Sequence, residues 1–100
     1  MGNKDIIRTD EVLVREMELA EGAATEWHFH NQVHDYFVCL EGTVRAETKS
    51  PDETVVLGPG QRFQVPAGRV HRVTSLAGGA AKYLLVQGVG SYDFCREQSG

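Results

Sequence analysis

No apolar run in this 100-residue chain approaches the roughly 20 residues a membrane helix needs; the longest, such as Tyr36 to Leu40 and Tyr83 to Val86, are far too short. Positive charge is also scarce, with 10 Lys and Arg against 14 Asp and Glu and a formal net charge of −4. The basic residues are scattered along the chain, which argues against a nucleic-acid partner. There are two cysteines, Cys39 in an apolar segment and Cys95 near the C-terminus. They form no spacing pattern, which points to a reducing compartment and makes the cytoplasm the expected location. The opening MGNKDIIRTD has no apolar core behind its first charges, unlike a secretory signal, and Ile6 stands where a myristoylation signal carries Ser or Thr. A phosphate-cradling glycine loop, a nucleophile motif and a nucleotide fingerprint are absent as well.

What the chain does have is frequent punctuation. Gly, Pro, Asn or Asp recurs at intervals that leave no room for long helices and bound short strand-like segments. Strands are expected at 12–20, 25–30, 35–40, 43–48, 54–57, 62–65, 71–76 and 82–89. The stretch DEVLVREMELAEGAA has helix-forming residues, but its apolar spacing fits neither period cleanly, and a strand is the preferred reading. The terminal DFCREQSG is expected to fray. At this length the chain forms one domain, residues 1–100, and about eight antiparallel strands in so small a unit hide their edges best in a closed barrel or jelly roll. On the segment at 35–40 both faces are apolar, Tyr36, Val38 and Leu40 opposing Phe37 and Cys39. Cover on both sides, most economically by a second subunit in a homodimer, is the expectation.

Four side chains suited to metal binding lie on these strands. His28 and His30 are two residues apart, a spacing that points both imidazoles to one face of a strand. Asp35 opens the next strand, and His71 follows the turn VPAGRV. Imidazole nitrogens and carboxylate oxygens together suit Zn, Mn, Fe, Ni or Cu, and three such ligands leave positions open for water or substrate. The three histidines are the first-ranked ligands, Asp35 the next. His34 is an alternative fourth, although strand alternation turns it away if Asp35 faces inward.

The spacings Gly22-x5-His28-x-His30-x4-Asp35-x6-Gly42 and Gly60-x5-Pro66-x-Gly68-x2-His71-x3-Ser75 resemble the two motifs of the cupin superfamily. The first motif covers about 22–42 and the second about 60–75, and the 17 residues from Thr43 to Pro59 match the short inter-motif loop of small single-domain cupins. Asp35 stands where the family carries Glu, and Ser75 where it carries Asn. The resemblance implies an all-β, double-stranded β-helix barrel holding one divalent metal ion through His28, His30 and His71 plus a carboxylate, here the shorter Asp35.

If the two histidines face inward, so does Glu26, a candidate general acid or base whose alternative is a carboxylate in solvent at the rim. Phe37, Cys39, Phe63, Val65 and Val73 are expected to line an apolar pocket, with Cys39 inert because burial raises a thiol pKa. Trp27 and Phe29 should point outward. Arg45, Arg62, Arg69 and Arg72 are not tied to the pocket by parity. The functional expectation is a metal-dependent enzyme acting on a small organic molecule, of dioxygenase, isomerase or lyase type. The alternative is a non-catalytic metal or small-ligand binding or sensor protein, and fold alone does not choose between them.

Overall fold

A computed structural model describes residues 3–76, 79–88 and 94–96. These residues form ten strands: β1 (Lys4–Arg8), β2 (Leu13–Leu19), β3 (His28–Phe29), β4 (His34–Glu41), β5 (Val44–Thr48), β6 (Glu53–Leu57), β7 (Arg62–Val65), β8 (His71–Ser75), β9 (Ala81–Gly88) and β10 (Cys95–Arg96). They make two antiparallel five-stranded sheets, ordered β1-β2-β9-β4-β7 and β10-β3-β8-β5-β6. Both sheets contribute to one core. Phe37, Cys39, Val65, Tyr83 and Leu85 from the first meet Val44, Leu57 and Val73 from the second. This is the expected double-stranded jelly roll.

Alternation explains why these segments are strands. In β9, Ala81, Tyr83, Leu85 and Gln87 are buried while the residues between them are half-exposed. In β4 the buried positions are Asp35, Phe37 and Cys39, the two-residue period of a sheet with one face on a core. Antiparallel register then sets rows across the inner face of the first sheet. One row runs Leu13, Gln87, Asp35, Val65, and the next Arg15, Leu85, Phe37, Phe63. These rows decide which side chains meet Asp35.

Two strands are additional to those read from the sequence, and a third is shorter than expected. β1 had no assignment, because all five of its residues are exposed and it carries no buried alternation; its pairing with β2 defines it. β10 lies in the terminus expected to fray, yet Cys95 pairs with Phe29 and Arg96 with His28. The strand expected at 25–30 contracts to His28–Phe29, with Ala24 forming an isolated bridge to Thr74. The end expected for the last long strand, Val89, lies outside the described residues.

Gly42 shows what the tight connection after β4 demands. Its φ is 74°, and a Cβ there would sit 2.6 Å from the Ala80 carbonyl oxygen. The left-handed conformation alone costs a side chain about 1–2 kcal/mol, and the contact adds to it. Gly42→Ala is therefore expected to lower stability by about 2 kcal/mol or more, read as a fall of roughly 10 °C in melting temperature for a domain of this size. An unchanged melting temperature would show that the connection rearranges freely.

Candidate metal centre

His28 and His71 face one another across the β3–β8 pair, and their ring centroids are 4.3 Å apart. His30 lies just beyond β3. Its carbonyl accepts the Gly68 N–H at 2.7 Å, and Gly68 has a φ of 83°, so the turn that delivers His71 is fastened to the segment that carries His30. Asp35 approaches from β4 in the opposite sheet. All four residues are at least 93% buried, with exposures of 7% for His28, 2% for His30, 1% for Asp35 and 1% for His71. One potential ligand atom from each lies within 4.8 Å of all the others.

Hydrogen bonds orient the rings. His28 Nδ1–H donates to the Glu26 carbonyl at 2.6 Å and His71 Nδ1–H to the Arg69 carbonyl at 2.8 Å. With the proton assigned to Nδ1, each Nε2 of a neutral ring presents a lone pair, the arrangement found in metal-ligating histidines. Asp35 Oδ2 lies 2.7 Å from His71 Nε2 and 3.0 Å from His30 Nε2. For His71 this tautomer sets the Nε2 lone pair against the Asp35 carboxylate at 2.7 Å, two electron-pair donors facing each other as the ligands of a shared cation would. Ligands about 2.1 Å from one ion lie roughly 3–4 Å apart, so the donor set fits a transition metal after a small contraction of its widest separation.

Electrostatics favours the ligand forms. Burial, reinforced by neighbouring His71 and His30, lowers the His28 pKa to about 4, against the opposing hydrogen bond to Glu26. Burial raises the Asp35 pKa, but hydrogen bonds and charge from His30 and His71 outweigh it and bring the value down to about 2. Near neutral pH His28 is therefore a neutral imidazole and Asp35 a carboxylate.

Gln87, which sequence reasoning missed, supports this group from β9. It is the Cα partner of Asp35; its Nε2–H donates to Asp35 Oδ1 at 2.7 Å, and the same nitrogen lies 3.2 Å from His30 Nε2. Its Oε1 is buried with no hydrogen-bond partner among the described residues. The available signal was a glutamine on the inward face of a strand whose other inward residues, Ala81, Tyr83 and Leu85, are largely apolar.

His28, His30, Asp35 and Gln87 line a cavity of about 100 Å³, whereas His71 is not on its wall. Phe37 and Val73 are on its wall, as expected, together with Tyr83, Leu85 and Phe94. Phe94 stacks on His28 with centroids 4.3 Å apart and is itself 42% exposed, at the mouth. Cys39, Phe63 and Val65 are not on the wall. Cys39 and Val65 are buried in the core and Phe63 packs against it. Inward parity was right for them, but parity does not say how far along or across a sheet the cavity extends. Burial raises the Cys39 thiol pKa, in keeping with a packing role.

Glu26 does not enter the cavity: its carboxylate pairs with Arg96 at an exposed position, and only its carbonyl reaches the site. His34 is exposed and accepts the Ala67 N–H at 3.0 Å, outside the ligand group. Ser75 is buried, its hydroxyl donating to the Gly79 carbonyl at 3.0 Å, and so ties the end of β8 to Gly79 rather than reaching the site. Trp27 lies on the outer side beneath Lys49 and Arg72.

The profile of the Cupin domain family matches residues 15–87. The chain belongs to the cupin family. Its fold is shared by the protein TT1209 from Thermus thermophilus, with 26% identity, a TM-score of 0.80, and coverage of 90% of this chain and 84% of that one. A Klebsiella pneumoniae protein with a double-stranded β-helix domain is 16% identical, with a TM-score of 0.82 and coverage of 95% and 82%. Oxalate oxidase is 14% identical with a TM-score of 0.79; 86% of this chain aligns to 46% of that one, so the chain spans about half its length. The last two likenesses speak to fold alone. No curated protein matches the chain significantly.

Proposed function

We propose that this cupin binds one divalent transition metal ion, such as Zn, Fe, Mn or Ni, through His28, His30, His71 and Asp35, and acts as an enzyme on a small organic molecule. The carrying observation is four buried ligand atoms within 4.8 Å of one another, three of them on residues that line one cavity, His28, His30 and Asp35. A bound ion would supply Lewis-acid polarisation of a carbonyl or hydroxyl, or oxygen chemistry if it is iron, which spans isomerase, lyase and dioxygenase types. The chain's own residues do the rest. Backbone carbonyls orient His28 and His71, Gln87 holds Asp35, and Phe37, Val73, Leu85 and Phe94 give the ligand an apolar wall that limits water. We place it in the cytoplasm as a homodimer, without nucleic-acid or membrane partners; the exposed β1 edge, with Ile6 and Ile7 each 51% exposed, supports a second copy as the cover.

A specific observation favours a second reading, a binding or sensor protein without turnover. Glu26 is turned outward, and burial together with the Asp35 charge raises the pKa of the Tyr83 phenol. Among the described residues, the cavity therefore offers no proton-transfer group apart from the ligand set. Metal content of the purified chain, followed by oxygen uptake and product analysis with small organic acids, aldehydes and sugars, separates the readings. Turnover that depends on the ion supports the enzyme; ligand-linked thermal stabilisation with no product supports the binding protein.

A further inference from the structure

Arg15 is an anomaly on the inner face of the first sheet. It shares its strand face with Leu13, Met17 and Leu19, where an apolar side chain would satisfy packing, and its neighbour across β9 is Leu85. Its side chain is only 23% exposed. It lines the same cavity as His28, His30 and Asp35, and among the described residues it is the only Lys or Arg that does.

A carboxylate already sits on this guanidinium. Asp5 of β1 accepts from Arg15 Nε through Oδ1 at 2.5 Å and from Nη2 through Oδ2 at 3.4 Å, the two-point pairing for which the guanidinium fork is suited. A purely structural tie between β1 and β2 explains this poorly, because partly exposed ion pairs contribute little to stability and such a tie does not need a cation on a cavity wall. We propose that Arg15 is the specificity-determining residue of the cavity, binding the carboxylate of a small organic acid, with Asp5 as the internal carboxylate that the ligand shares or displaces. This rests on the metal-site reading above and names its ligand class. Size narrows that class. A cavity of about 150 Å³ accommodates benzene, so a space of about 100 Å³ suits acids of roughly two to four carbons.

The test is calorimetric titration of the zinc-loaded full chain with acetate, propionate and malonate, and with the neutral isosteres acetamide and propionamide, with zinc content measured in parallel. At least one acid should bind tenfold or more tighter than its amide. Arg15→Gln should keep the zinc and lose that preference, and Asp5→Asn, at an exposed edge position that leaves the core untouched, should tighten acid binding several-fold. The proposal alone is overturned if the wild-type chain holds zinc but does not distinguish acid from amide, if Arg15→Gln keeps both zinc and the preference, or if Asp5→Asn leaves acid binding unchanged or weaker. A wild-type chain that takes up no zinc overturns the metal-site reading, and this proposal with it.

Discussion

Replacing His28 and His30 together with alanine is expected to take bound metal from about one ion per chain to none while both sheets stay folded. Neither ring belongs to the core cluster. His28 lies on a two-residue strand and His30 beyond its end, so removing the rings enlarges the cavity without breaking a long ladder. An ion that binds only the folded chain stabilises it by about 4 kcal/mol when present at a thousandfold excess over its Kd, which for a domain of this length raises the melting temperature by roughly 15 °C or more. The wild-type chain should show that rise and the double variant should not. Mass spectrometry that still finds close to one ion per double-variant chain would mean that the ion sits elsewhere.

The metal-free chain, held in chelator, should lose stability as pH falls from about 6.5 to 4. The sign follows from His28. Its folded pKa of about 4 lies below the ordinary value near 6.5, so in that window the unfolded chain binds the proton more readily and protonation pulls the equilibrium toward unfolding. At pH 6.5 and above the ring is neutral in both states and its penalty vanishes. The full effect is on the order of 3 kcal/mol at 1.36 kcal/mol per pH unit of separation, a drop of roughly 12–25 °C in melting temperature. Asp35, with a folded value of about 2, adds a further loss only below its ordinary value near 4, where the carboxylate that serves the neighbouring imidazoles becomes protonated. Thermal melts at pH 7.5, 5.5 and 4.5 check the first window, and His28→Phe should remove most of the slope there. A wild-type melting temperature constant across those three values would contradict a buried neutral His28.

The barrel was legible because its strands alternate and its turns are marked by glycine. The convergence of His28, His30, Asp35 and His71 was legible from strand parity and motif spacing, and the same parity turned His34 outward. Three things were hidden, each for a physical reason. β1 and β10 have little buried surface and exist through pairing, which leaves no periodic trace in their own residues. Arg15 and Gln87 reach the site through the order β2-β9-β4, a register between strands far apart in the chain that no local pattern encodes. Cys39, Val65 and Phe63 illustrate the converse: alternation reports which side of the sheet a residue occupies, whereas the cavity covers only part of that side and stops short of β7 and of Cys39. A charged or amide side chain at an inward position among aliphatic ones was the usable sign, present at both Arg15 and Gln87.

His28 and His71 are aimed by main-chain oxygens of residues 26 and 69. Ring orientation is thereby inherited from the backbone path, and at exposed position 26 evolution is free to vary the side chain without turning the imidazole, whereas Arg69 also holds the Pro51 carbonyl at 2.8 Å. Such drift retunes the charge at the rim of the barrel, where Glu26 now meets Arg96, while the chemistry inside keeps its aim.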